Sequence, residues 1–455
     1  MTLSKILIAN RGEIAVRIAQ AARARGITTV LAASAADRDS RAAGEVDQVL
    51  TIGPAPARDS YLNADLIVHA AKMTGCEAIH PGYGFLSERA SFAQLCEDEG
   101  IVFIGPTAEQ IRLVGDKLGA RNLAATAGVP MAAGSDEVAT LDEALATAAA
   151  IGYPVITKAS AGGGGRGMFV AADEDALRSG FDRASLEAAE AFGDGRMYIE
   201  TFVQGARHVE VQVVGDGRGQ VFHFGERDCS IQRRYQKMVE ESPAVILGGA
   251  TRSRLHQAAV NLLTPINYRS AGTVEFLYDT VRDDFYFMEV NARLQVEHPV
   301  SEQVCGVDLV GLQLDVANGS LNLDQSRIGT TGHAIEVRIL AENPHRGFLP
   351  SPGTITGLHV PVRDGVRLDS AVVAGSTVPP YYDSMIAKLI VTADDRGQAT
   401  ALLASVLTET RIEGISTNID LLRTLVADPD YLSNNTSTRW LDTHVDRLVA
   451  EKEVA

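Results

Sequence analysis

Cysteine is scarce in this sequence: Cys76, Cys96, Cys229 and Cys305 stand far apart, without the paired spacing of a zinc ribbon or a dithiol redox site. The four are expected to be buried thiols in a reducing compartment. Long apolar runs are lacking too. No stretch approaches the ~20 residues of a membrane helix, and Lys5-Ile-Leu-Ile-Ala-Asn10 is too short for a signal-peptide core, so the expectation is a cytoplasmic protein with no membrane partner. Basic residues are in deficit. Forty-one lysines and arginines against 58 acids leave a net charge of −17, which repels polyanions and argues against nucleic acid as a partner. Any anionic substrate must then meet a locally basic pocket. Aromatics make up only 5%, as in an Ala- and Gly-rich α/β chain.

What is present is an ordinary globular composition, 45% hydrophobic and 22% charged, in 455 residues, enough for about three domains. Ile6 to Ala9, Glu13 to Arg25 and Thr28 to Ala33 read as strand, helix, strand, the βαβ signature of a parallel sheet. The alternation continues through a helix around Leu66 to Met73 and a strand from Ile101 to Ile104. Gly105-Pro106 marks the first boundary. Thr140-Leu-Asp-Glu143 is a capping box that opens a helix ending at Gly152. Strands are predicted at Pro154 to Lys158 and Met168 to Ala171. From Met197 strands dominate, at Met197 to Phe202, Val209 to Val214, Val221 to Glu226, Thr273 to Tyr278 and Phe285 to Val296, which predicts a separate α+β domain.

Three tracts can carry chemistry. Lys158-Ala-Ser-Ala-Gly162-Gly-Gly-Gly-Arg166-Gly167 leaves the backbone free to approach a ligand, and bare amides beside Lys158 and Arg166 suit phosphate. A flexible hairpin tip carries about equal weight. The match of Gly162, Gly164 and Gly167 to a dinucleotide fingerprint is rejected, because a strand and not a helix follows. Between Met288 and Glu297 apolar and polar residues alternate, so that Glu289, Asn291, Arg293, Gln295 and Glu297 share a face if the run stays extended. Hairpin symmetry puts Glu275 opposite Glu289. Two facing carboxylates repel by up to ~1 kcal/mol, and a divalent cation reverses the sign; Glu275, Glu289 and Asn291 offer hard oxygens suited to Mg²⁺ or Mn²⁺. The third tract, Gln232-Arg-Arg-Tyr-Gln-Lys237 followed by Glu240-Glu241, is either solvated surface or a small-anion site, and spacing does not choose between them.

These residues resemble a family, the biotin carboxylases, which are the ATP-grasp subunit or domain of biotin-dependent carboxylases. The resemblance spans almost the whole chain. It rests on Ile8-Ala-Asn-Arg-Gly-Glu-Ile14, His80-Pro-Gly-Tyr-Gly-Phe-Leu-Ser-Glu88, Gly162 to Gly167, Gln232 to Lys237, Glu289-Val-Asn-Ala-Arg-Leu-Gln-Val-Glu-His-Pro299, Leu349-Pro-Ser-Pro-Gly353 and Pro379-Pro-Tyr-Tyr-Asp-Ser-Met385. It implies a multidomain α/β and α+β fold: an open α/β domain at 1–115, an ATP-grasp region at 116–318 with a mobile lid at about 132–202, and an α+β domain at 333–445. The implied reaction is ATP- and bicarbonate-dependent carboxylation of biotin through carboxyphosphate.

On this resemblance Lys117, Lys158 and the lid glycines Gly163, Gly164, Gly165 and Gly167 meet the ATP phosphates. Glu200 and Val203 belong to the hinge that takes the adenine, and His208 and Gln232 lie near the ribose. Glu275, Glu289 and Asn291 match the metal site. Lys237, Arg293, Gln295 and Val296 match the bicarbonate pocket, Glu297 the base, Arg338 the cation facing the biotin ureido oxygen, and Tyr83 a residue near the biotin ring. Two departures, Tyr235 for a frequent His and Thr201 for a frequent Lys, fall at the nucleotide end. No Met-Lys-Met biotinylation sequence occurs, so biotin is expected on a separate biotin carboxyl carrier protein, with carboxyltransferase subunits as further partners and a homodimer as a possible assembly. The alternatives are another ATP-grasp ligase and a catalytically weak nucleotide-binding paralogue.

Overall fold

The structure, a computed structural model, describes residues 2–135, 137–160 and 168–450. β1 (Lys5–Ile8), β2 (Thr28–Ala33), β3 (Gln48–Thr51), β4 (Ala78–His80) and β5 (Val102–Phe103) form a parallel sheet in the order β3-β2-β1-β4-β5. Helix α1 (Gly12–Ala24) begins where Gly12 takes a φ of +70°, a value glycine adopts without strain, and it buries Ile14, Ile18 and Ala22. The strand order reverses between β1 and β4. At such a reversal the chain leaves neighbouring strands in opposite directions and opens a crevice at their carboxyl ends. Here the crevice is walled by Asn10–Glu13 and by Tyr83–Phe85.

The capping box forms as predicted. Thr140 Oγ1 accepts from the Glu143 N–H at 3.3 Å, Glu143 Oε2 accepts from the Thr140 N–H at 3.2 Å, and the helix Leu141–Ile151 stops at Gly152. Beyond it β6 (Val155–Ala159), β7 (Met168–Ala171) and β8 (Met197–Thr201) make a small antiparallel sheet in the order β7-β6-β8. The strand at Met197 therefore does not open the later α+β region, contrary to the sequence reading. Met197 and Ile199 instead complete an apolar cluster with Val155, Leu177 and Phe181.

Eight of the remaining strands build one antiparallel sheet, and the other six form short two-stranded pairs. β9 (Arg207–Asp216), β10 (Val221–Arg233), β11 (Gln236–Ser242), β12 (Arg269–Asp279), β13 (Asp284–Asn291) and β14 (His333–Leu340) join the strands Met385–Ala393 and Val366–Ser370 in the order β13-β12-β9-β10-β11-β14, then Met385–Ala393, then Val366–Ser370. β11 pairs with β14 from Val239↔Val337 to Ser242↔Ala334, so a single sheet carries residues from both sides of position 318. Among the described residues no helix is long and apolar enough to cross a membrane. Cys76, Cys96 and Cys229 are buried free thiols, whereas Cys305 is only half-buried.

Candidate active site

A cavity of about 1330 Å³ lies where the parallel sheet, the small sheet and the eight-stranded sheet meet. That exceeds the ~300–1,000 Å³ of a pocket for one small ligand and leaves room for two. Its floor follows from period two on β9. Val209, Val211 and Val213 point into the core, so His208, Glu210 and Gln212 must share the opposite face. Register aligns Glu289, Glu275, Glu210 and Arg227 in one row across β13, β12, β9 and β10. Glu275 is paired directly with Glu289, as hairpin symmetry predicts, and a bulge follows at once, where Phe276 pairs with Phe287 and leaves Met288 extra.

The two carboxylates are not equivalent. Glu275 accepts from Lys237 Nζ (3.0 Å) and Gln295 Nε2 (3.0 Å), and its other oxygen lies 3.2 Å from His208 Nε2. Burial alone would raise its pKa, but Lys237 and His208 hold it below the ordinary carboxylate range. Glu289 opens onto the cavity and accepts no hydrogen bond among the described residues; burial, Glu275 and Glu88 push its pKa up. An unbonded carboxylate facing a second one, with the Asn291 amide beside it, is a donor set that fits a hard divalent cation. Metal-like spacing also occurs among His208, Glu210 and Glu275, but the ammonium of Lys237 already sits there, 2.5 Å from Glu210.

Lys237 is the hub. Its Nζ also donates to Glu297 Oε1 at 2.7 Å, while Arg338 Nη2 donates to Glu297 Oε2 at 3.1 Å and Arg338 Nε to Glu240 at 2.6 Å. Burial opposes the charge on Lys237, yet Glu210, Glu275 and Glu297 keep it well above the usual lysine value. Burial likewise works against ionised Glu297, but Lys237 brings its carboxyl below the ordinary range, so a fully buried, ionised carboxylate stands between two cations.

The run from Met288 to Glu297 does not stay extended. The strand ends at Asn291, and residues 292–297 turn into the helix His298–Cys305. The Ala292 N–H leaves the sheet ladder and donates to Glu88 Oε1 at 3.0 Å, and Arg293 Nε reaches Glu88 Oε2 at 2.7 Å. The polar side chains still converge, by turning rather than by alternation. Arg293 donates to Asn291 Oδ1 and Gln295 Oε1, each at 2.8 Å.

At the other end of the cavity Lys117 and Lys158 approach the Tyr198 ring, at 5.5 and 5.7 Å. Lys158 donates to Glu200 at 2.6 Å and Arg121 bonds the same carboxylate, so the Glu200 side chain is taken up by two cations. Val203 is buried on the wall, and Gln232 Nε2 lies 3.1 Å from His208 Nδ1. Gly163, Gly164, Gly165 and Gly167 lie outside the described residues. Thr201 bonds the Ala133 carbonyl. Tyr235 is exposed at the tip of the β10–β11 hairpin, where Arg234 and Tyr235 take φ of +48° and +65°, the mirror-image turn that suits a two-residue hairpin. The tract 232–237 is thus part surface, at Arg234 and Tyr235, and part site, at Gln232 and Lys237.

Tyr83 lines the cavity and donates its hydroxyl to the buried Glu13. The sequence reading gave no role to Glu13, Glu88, Glu210, Arg227, Glu240 or Lys388. For Glu210 a signal existed, the polar alternation of β9. Arg227 pairs with it at 2.7 Å only because β10 lies beside β9.

Known proteins resemble this chain throughout. Residues 2–111 match the family model described as biotin carboxylase, N-terminal domain; residues 116–325 match carbamoyl-phosphate synthase L chain, ATP binding domain; residues 336–443 match biotin carboxylase C-terminal domain. Biotin carboxylase 1 of Bacillus subtilis is 48% identical over 444 residues, 97% of this chain and 99% of that protein. The mitochondrial methylcrotonoyl-CoA carboxylase subunit alpha of Glycine max is 46% identical over 99% of this chain but only 62% of its own length. Among solved structures, the biotin carboxylase–β,γ-ATP complex from Campylobacter jejuni superposes with a TM-score of 0.94 at 46% identity, covering 97% of this chain and 99% of that one. The biotin carboxylase domain dimer of Hydrogenobacter thermophilus 2-oxoglutarate carboxylase, solved with MgADP, ADP and bicarbonate, does so with a TM-score of 0.93 at 44% identity, covering 98% and 99%.

Proposed function

The chain belongs to the biotin carboxylase family, and from that premise we propose that it carboxylates biotin borne on a separate carrier protein, using ATP and bicarbonate with carboxyphosphate as the intermediate. The observation that supports this reading best is the placement of Glu297, an ionised carboxylate flanked by Lys237 and Arg338 at the meeting point of a facing-carboxylate pair and a basic wall. In this reading Lys237, Arg293, Gln295 and the main chain of Val296 hold bicarbonate. Glu297 accepts its proton, a role typically worth ~10²–10⁴-fold, and the resulting anion attacks the γ-phosphorus of ATP. Lys117 and Lys158 set positive charge beside the transferring phosphoryl group. Mg²⁺ or Mn²⁺ on Glu275, Glu289 and Asn291 would supply further charge neutralisation there. Carboxyphosphate then releases CO₂ and phosphate, the phosphate removes the biotin N1′ proton, and Arg338 faces the negative ureido oxygen with a charge that no usable pH removes.

Tyr83 forms the wall beside the ureido ring. Glycines 163, 164, 165 and 167, outside the described residues, are assigned to the phosphates by resemblance alone, while Glu200 and Val203 bracket the adenine and His208 and Gln232 the ribose. The partners in this reading are a biotin carboxyl carrier protein and carboxyltransferase subunits, with a homodimer as the assembly; the subunit and dimer relatives support it. ADP release measured with and without bicarbonate and free biotin tests the whole. Release that requires bicarbonate and rises with biotin is expected, and release indifferent to both would refute it.

A further inference from the structure

Lys388 is completely buried, and no step above uses it. It lies on the strand Met385–Ala393 directly opposite Arg338, so two cations face each other across one rung of the sheet. Like charges so placed repel, and a buried ammonium is costly to desolvate, so an apolar side chain here would serve stability better. Its contacts suggest a different use. Nζ donates to the main-chain carbonyl of Val296 at 2.7 Å and lies 3.2 Å from Glu13 Oε1. Glu13, in the first turn of α1, accepts in turn from the Tyr83 hydroxyl.

The series Tyr83, Glu13, Lys388, Val296 ties the loop after β4, the start of α1 and the strand Met385–Ala393 to the turn that carries Glu297. A peptide bond is planar, so a carbonyl held at one end fixes the N–H of the next residue and the direction in which that residue leaves the main chain. Within this turn the Gln295 carbonyl accepts from the His298 N–H (3.4 Å) and the Glu297 carbonyl from the Val300 N–H (3.3 Å). Lys388 holds the carbonyl between them.

We infer that Lys388, with Glu13 as its counter-ion, is a positioning residue that clamps the Val296–Glu297 peptide, aims the Glu297 carboxylate between Lys237 and Arg338, and locks that turn to the Tyr83 wall. The inference rests on the reading of Glu297 as the base for bicarbonate. Lys388→Met keeps the side-chain length while removing donor and charge. Glu13→Gln keeps an acceptor for Tyr83 while removing the counter-charge.

In bicarbonate-dependent ADP release by the full chain, Lys388→Met should lose about 10–100-fold in kcat and raise the bicarbonate KM, because a slightly misaimed reacting group costs that much. The KM for ATP should stay within about twofold, since the nucleotide end is untouched. Lys388→Met leaves the Glu13 carboxylate buried without its counter-ion, so the Glu13→Gln/Lys388→Met double variant should melt no lower than Lys388→Met alone and lose no more activity than it does. A folded Lys388→Met with wild-type kcat and bicarbonate KM overturns the inference, as does a parallel loss of melting temperature and of every kinetic constant. If Lys388→Met does not fold, Glu13→Gln decides alone: a lower kcat at unchanged ATP KM supports the clamp, and an unchanged kcat overturns it. Full bicarbonate-dependent ADP release in Glu297→Ala would instead remove the base assignment itself, a failure distinct from an indifferent Lys388.

Discussion

Glu275 and Glu289 face each other, yet neutralising one should stabilise the metal-free protein and neutralising the other should weaken it. Glu289 has no hydrogen bond among the described residues and is opposed by Glu275 and Glu88 more than it is held by His208 and Lys117, so Glu289→Gln removes net repulsion, worth up to about 1 kcal/mol and less where solvent reaches the carboxylate. Glu275 is bonded to Lys237 and Gln295 and pairs with His208; Glu275→Gln takes charge-assisted bonds away, at about 1.5–3 kcal/mol. At ~2.1 cal/mol/K per residue, 455 residues convert 1 kcal/mol into about 1 °C. The variants should therefore melt about 2–4 °C apart in EDTA, Glu289→Gln at or above wild type and Glu275→Gln below it. The pH dependence follows from the signs. Glu289 has a raised folded pKa, so it costs stability as pH climbs above the ordinary value of 4.5, and the benefit of Glu289→Gln should vanish in acid. Glu275 has a lowered one, so it contributes fully above 4.5 and loses its part progressively as pH falls below that, while His208, raised to about 9, contributes fully below 6.5 and loses its part as pH rises through 9. The Glu275→Gln penalty should thus be largest between about pH 5 and 7. Scanning calorimetry across pH checks this, alongside Mg²⁺ titration of ADP release, in which both variants should need more metal. A Glu289→Gln protein that melts below wild type refutes the repulsion, and wild-type Mg²⁺ activation in both variants removes the metal assignment.

Glu297→Ala should lose bicarbonate-dependent ADP release and biotin carboxylation together, at ~10²–10⁴-fold, whereas Arg338→Gln should lose carboxylation far more than ADP release; equal losses in the Arg338 variant would sink its assignment to biotin. Tyr235→His should keep kcat within about twofold and chiefly alter the KM for ATP, since Tyr235 is exposed on the hairpin tip at the cavity edge; a large change in kcat would contradict this. Gly272→Ala would set a methyl 2.3 Å from the hydroxyl of the buried Tyr268, so a loss of about 1–3 kcal/mol is expected by denaturant titration, and an unchanged midpoint would show that the ring can yield.

Local periodicity and capping are short-range physics, and they were legible in the sequence. The βαβ start, the capping box at Thr140 and the hairpin that sets Glu275 against Glu289 all depend on neighbours within a few dozen positions. The resemblance to biotin carboxylases came from contiguous motifs for the same reason. Where the reading failed, the deciding force was tertiary. Met197–Thr201 reads as one more strand of the later region, but it pairs with β6 because Met197 and Ile199 complete that cluster's core. The alternation from Met288 to Glu297 breaks at Ala292 because Glu88, from the other wall of the cavity, captures its N–H. Burial of Lys237 among Glu210, Glu275 and Glu297 requires the strand order β12-β9-β10-β11, which no period in the chain encodes. Lys388 carries no signal in the sequence; only the packing of α1 and the turn at Val296 against its strand makes it a buried cation with a carboxylate and a carbonyl to hold, because charges so far apart in the chain meet only when the sheets do.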